Sequence, residues 1–164
     1  MKKAIDKIIV LFLTLTIAYI GFCIVDIVAY NPVTVTIKTV KIVDRQGFLK
    51  ETNWPDDTPL FVSRSDTIII GFNVIRTRNA TNAIERVFET KSYDEAKEYI
   101  VGSITRSHSP GSNVVIAEFP VPDSIDTGCN HFIFSRNTIR YKYNFLQRAF
   151  GAIVNTPKVQ ICVN

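Results

Sequence analysis

Two hydrophobic periods divide the chain. Residues 8–25 carry no charge and are interrupted only by Thr14, Thr16 and Gly21. Beyond Pro32 the apolar positions alternate with polar ones in short runs, the period of half-buried strands. The first segment, residues 8–30, predicts a helix of roughly 34 Å at about 1.5 Å per residue. That is enough to cross a hydrocarbon core of about 30 Å. Lipid offers the backbone no partner, so a helix is the form that satisfies its amides. Asp26 falls near the distal end, where it reaches the headgroups beside an interfacial Tyr30. The alternative is an intramembrane acid paired with a partner helix.

Other origins for such a segment fit less well. A cleaved signal peptide needs small residues before the cut, and the best cut, after Ala29, has Ile27 three positions back. A lipoprotein signal needs a small residue before its cysteine, but Phe22 precedes Cys23. A pilin-type helix needs a processing glycine and an acid just inside the apolar run, and neither is present. The segment therefore reads as an uncleaved single-pass anchor. Lys2, Lys3 and Lys7 precede it and no Lys or Arg follows until Lys38. By the positive-inside rule residues 1–7 stay cytoplasmic and residues 31–164 are exported, into the periplasm if the cell is a bacterium.

Asn31-Pro32 ends the helix, because the residue before a proline is pushed out of the α region. Val33, Val35 and Ile37 then share one face, after which the apolar phase moves to Val40 and Ile42. A single slip of this kind is what a β-bulge or a change of sheet produces. Residues 44–66 are loop-like, with one short strand at Leu60-Phe61-Val62. Trp54, in that loop, covers the core edge or stacks on a ligand. Residues 67–76 form the clearest strand, with Ile68, Ile70, Phe72 and Val74 on one face and a mixed opposite face, the pattern of a central strand. Residues 83–90 predict another. Ser92 and Glu95 make a capping box that opens a short helix over residues 93–100. Strands follow at residues 99–106 and 113–119, joined by a turn at His108, Pro110 and Gly111 and closed by Pro120 and Pro122.

From Cys129 to Val163 the pattern is that of a long hairpin. Tyr141, Tyr143 and Phe145 point to one side and Arg140, Lys142 and Asn144 to the other. A two-residue turn at Phe145-Leu146 sets Cys129 directly opposite Cys162, which predicts a cross-strand Cys129–Cys162 disulfide. Two buried free thiols are the alternative. Cys23, the third cysteine, falls within the anchor, and disulfides persist in the exported compartment. Short strands separated by turn signals, with little helix, predict a mainly β fold: one antiparallel β-sandwich of about seven strands over residues 31–164.

Composition narrows the chemistry. The chain's 19 basic and 15 acidic residues leave the part beyond the anchor mildly positive, with the charges scattered. Nucleic-acid binding calls for a concentrated basic stripe, so no nucleic-acid partner is expected. His108 and His131 are the two histidines, and neither has a helix-spaced or CxxC companion, so no metal site is expected. The nucleophile elbow, dinucleotide fingerprint and P-loop are all missing. No catalytic residue and no cofactor are predicted, and the chain reads as a non-enzyme. Glu85, Glu89, Asp94, Glu95 and Glu98 read as a solvated face. Arg140 and Lys142, among aromatics, resemble a basic-aromatic contact surface, although strand alternation explains the same pattern. With Trp54 they are the candidate ligand or partner contacts.

Ser65-Asp66-Thr67-Ile68-Ile69, Pro120-Val121-Pro122 with Gly128, and Tyr141-Lys142-Tyr143-Asn144-Phe145-Leu146 before a last strand ending Val159-Gln160-Ile161 resemble a group of small single-pass membrane proteins of phages and prophages. The resemblance implies an Ig-like β-sandwich outside the membrane and a viral origin, and it brings no catalytic residue. Members of that group often carry a cysteine where Asn79-Ala80 stands here, so no disulfide pattern is transferred. The expectation is a non-enzymatic interaction or structural module whose partners are a lipid bilayer and another protein. It would serve in a membrane-containing virion or in the inner membrane during infection. A regulator of lysis or superinfection is one alternative, and a membrane-tethered binder of polysaccharide or peptidoglycan is another.

Overall fold

The computed structural model describes residues 2–29, 33–52, 58–91, 96–141 and 144–164. Trp54, Lys142, Ser92 and Glu95 lie outside them. The N-terminal helix α1 (Lys2–Ala29) is followed by β1 (Val33–Val43), β2 (Leu49–Thr52), β3 (Leu60–Val62), β4 (Thr67–Arg76) and β5 (Ala80–Lys91). Then come β6 (Ala96–His108), β7 (Gly111–Pro120), β8 (Gly128–Tyr141), α2 (Phe145–Phe150), β9 (Ala152–Asn155) and β10 (Val159–Val163). The stretch Ala4–Asp26 is long and apolar enough to cross a membrane. It shows apolar side chains on every side, with Phe12 and Ile17 about 70% exposed, as a helix does when another medium must cover it. Its threonines do not break this surface, because the Thr14 and Thr16 hydroxyls donate to Val10 O and Phe12 O one turn back.

The strands form a mainly β sandwich. One sheet has the order β2-β1-β4-β7 and the other β3-β10-β8-β5-β6, with β9 paired to β8. All pairs are antiparallel except β3 with β10. Ile68, Ile70 and Phe72 from the first sheet meet Phe88, Ile133, Ile139 and Ile161 from the second in one apolar cluster. Each such buried side chain stabilises the fold by about 1.5–3 kcal/mol relative to leaving it exposed. The phase slip in β1 is a bulge, since the register against β4 shifts between Ile37 and Thr39. β4 is central, flanked by β1 and β7. There are more strands than the sequence pattern separates, because residues 44–66 contribute both β2 and β3 and the C-terminal stretch divides into β8, β9 and β10.

Two expectations are corrected. The helix over residues 93–100 is not formed where the chain is described, for β6 already runs from Ala96. Lys97, Glu98 and Tyr99 pair there with Thr90, Glu89 and Phe88 of β5, and cross-strand pairing outweighs the local capping signal. The strands expected on either side of Pro110 are present as β6 and β7, and since these belong to different sheets the turn is a corner of the sandwich. Finally, no two-residue turn closes the C-terminal hairpin. Phe145 starts α2, and Asn144 is buried as its N-cap, so the strand alternation stops at Tyr141.

Candidate functional site

The predicted disulfide is present: Cys129 and Cys162 are joined, tying β8 to β10 at the end of the sandwich opposite α2. Arg140 lies exposed on β8 across from Thr81. It is not gathered with other functional groups, and the other two candidate contacts, Trp54 and Lys142, are outside the described residues. His131 is a core residue. It has no exposed surface, its Nε2 faces the Asp126 carbonyl at 2.9 Å and its Nδ1 faces the Thr90 hydroxyl at 2.9 Å. Burial pushes its pKa below the usual value, with the Asp126 carbonyl acting in the opposite sense. Among the described residues no three His, Cys, Asp or Glu side chains stand together as metal ligands.

The polar groups that do converge lie at the α1 end of the sandwich. Asp26 accepts from Arg78 Nη1 at 2.7 and 2.9 Å and from Asn144 Nδ2 at 3.1 Å. The Asn144 amide also donates to Cys23 O at 3.1 Å, while its Oδ1 accepts from the Leu146 and Gln147 amides and so caps α2. One asparagine thus links α1, α2 and the end of β8. Tyr19 and Phe145 stack beside it, with ring centroids 5.6 Å apart. Asp26 therefore finds its partners within its own chain, which neither sequence-based alternative anticipated.

Behind this junction a cleft of about 50 Å³ enters between the sheets. Carrying the inward alternation of β4 one step past Val74 places Arg76 inside, where it is 4% exposed. The inner face of β8 likewise replaces apolar residues with Ser135 and Asn137, and β5 contributes Asn82, all of them buried. Two members of this polar group are satisfied. Asn137 Nδ2 donates to Ser135 O and Val154 O, and the Thr156 hydroxyl accepts from Ser135 N. Arg76 Nε and Nη1, Asn82 Oδ1, Ser135 Oγ and the nearby Tyr141 hydroxyl have no partner among the described residues. Burial lowers the pKa of Arg76 and pushes the Tyr141 phenol up to about 12. Arg86 and Arg106 also line the cleft, and among the described residues no carboxylate does. The strand alternation itself was the signal for Arg76, since its in-out period does not end at the last hydrophobic residue.

The third feature is an open edge. Among the described residues β6 pairs only with β5, and β7 only with β4. The outer sides of these long strands carry Ile100, Val114 and Ile116, each more than half exposed. Compared with models of known protein families and with curated proteins, the chain matches none.

Proposed function

We propose that the chain is a membrane-anchored, non-enzymatic contact module. In this reading α1 spans a bilayer with its lysine-bearing end in the cytoplasm, and the sandwich, stapled by its disulfide, sits on the far side. Because α2 packs against α1 at the level of Tyr19, the sandwich rests on the bilayer surface. Phe150, 79% exposed, then enters the interfacial layer together with Phe145. The phage setting comes from the resemblance alone, and it calls for the protein in membrane-containing particles or in infected-cell membranes.

The observation that carries the contact role is the pair of long edge strands, β6 and β7, each paired on one side only among the described residues and carrying exposed β-branched residues. Such an edge presents free amides and carbonyls for a further strand, and strand addition is a recurring mode of recognition. A photo-crosslinking amino acid at Ile116 or Ile100, in the membranes that naturally hold the protein, tests this. A discrete adduct of defined mass from both positions, absent when the probe replaces Ile153 on β9, is the expected result. Equal or no crosslinking at all three positions would remove the edge as the contact surface.

A further inference from the structure

We infer that the cleft at Arg76 is a binding site for a small oxyanion, a phosphate or carboxylate group entering between the two sheets. The guanidinium is always charged and here is 96% removed from solvent, leaving 4% exposed. An ion buried without a partner is among the most costly features a fold can carry. The cost is greatest at this group, because the other orphaned atoms nearby, Asn82 Oδ1 and Ser135 Oγ, are uncharged, while Asn137 and Thr156 have found partners. Among the described residues no neighbouring acid compensates it: none of their carboxylates lines the cleft, and Asp26, the acid of the adjoining junction, is held by Arg78 and Asn144.

The donor set defines the ligand. Nε and Nη1 of Arg76, the two nitrogens without a partner among the described residues, lie on different edges of the guanidinium, so each offers its own charge-assisted N–H to an oxygen of a carboxylate or phosphate. The Ser135 hydroxyl can donate a further bond, and the Asn82 amide can turn either its N–H or its carbonyl toward a ligand oxygen. Arg86 and Arg106 add positive charge, although one Arg86 nitrogen, Nη1, is engaged with Glu118 O at 3.2 Å. Size sets the upper limit. A cavity of about 50 Å³ exceeds the roughly 10–15 Å³ that one water needs and has no room for a base or a sugar ring. The occupant is therefore a free small anion or the charged head of a larger molecule whose body stays outside. Its two natural sources are inorganic or metabolite oxyanions and the phosphate of a lipid headgroup.

Thermal unfolding of the full chain in a neutral detergent, titrated with sodium phosphate or sodium acetate against sodium chloride at matched ionic strength and pH, reads this site. A saturable rise in Tm of roughly 5–10 °C at a hundredfold excess over Kd is expected. Arg76→Met abolishes the rise, and without added oxyanion it unfolds at or above the wild-type temperature because the unpaired charge is gone. Ser135→Ala keeps the fold and the charge and raises the half-saturating concentration roughly tenfold. The same comparison in lipid nanodiscs, phosphatidylcholine alone against phosphatidylcholine with phosphatidylglycerol, identifies the source. A rise that depends on Arg76 with the soluble salts assigns a free anion, and one confined to phosphatidylglycerol assigns the headgroup. No rise in any arm, or equal rises in wild type, Arg76→Met and Ser135→Ala, would overturn the site.

Discussion

His131 shows how one side chain makes this core sensitive to acid. The Asp126 carbonyl can only accept, so Nε2 carries the proton and Nδ1 accepts from the Thr90 hydroxyl, an arrangement the neutral ring satisfies completely. Burial depresses its folded pKa, while in the unfolded chain the ring titrates near 6.5. In acid the unfolded state therefore binds the proton more readily, and stability falls as pH drops through and below about 6.5. Wild-type Tm should decline more between pH 7.5 and pH 5 than that of His131→Gln, and parallel profiles would show that the ring contributes nothing. The sequence marked His131 only as a histidine without a ligand-spaced companion, and its place in the core comes from the structure. Arg76 was not legible in the same way. Its type suggests surface, and only the inward phase of β4 places it inside.

The element scale turns on α2. Asn144 caps it and at the same time donates to Cys23 O and Asp26, so helix formation and the α1 junction depend on one amide. Asn144→Ala removes both functions and should cost about 1–3 kcal/mol, read as a fall in Tm. Asn144→Asp keeps a good cap but sets a second carboxylate against Asp26. It should also be less stable than wild type, and wild-type stability in that variant would show that the junction contributes no energy.

The same region explains why the disulfide was foreseeable and α2 was not. A turn centred on Phe145-Leu146 sets Arg136 opposite Asn155 and Ile139 opposite Ala152, and β8 and β9 pair in that register. Replacing the tight turn by α2 lengthens the connection without moving its centre. The register then slips by one before Val159 pairs with Ile133, and slips back at the irregularity between Ile161 and Val163. The two slips cancel at the cysteines. The expected helix at residues 93–100 failed for the complementary reason: a capping box is a local signal, and a twelve-residue β5 offered β6 a longer partner.

At the scale of the whole molecule, an apolar rod carries a stapled sandwich whose polar cleft and α2 lie at the rod's end, while β6 and β7 leave an edge open. Mainly β architecture, the bulge, the central strand and the disulfide all follow from periodicity in the sequence. The junction and the cleft depend on residues distant in sequence, as Asp26, Arg78 and Asn144 show, and no local pattern brings these together. The account depends most on α1 spanning a bilayer with the sandwich on its far side. An epitope placed after Asn164, behind a site for a specific protease, measures this directly in intact spheroplasts of an expressing bacterium. Loss of the epitope on adding protease to intact spheroplasts is the predicted result. Retention there, with loss only after lysis, would contradict the account.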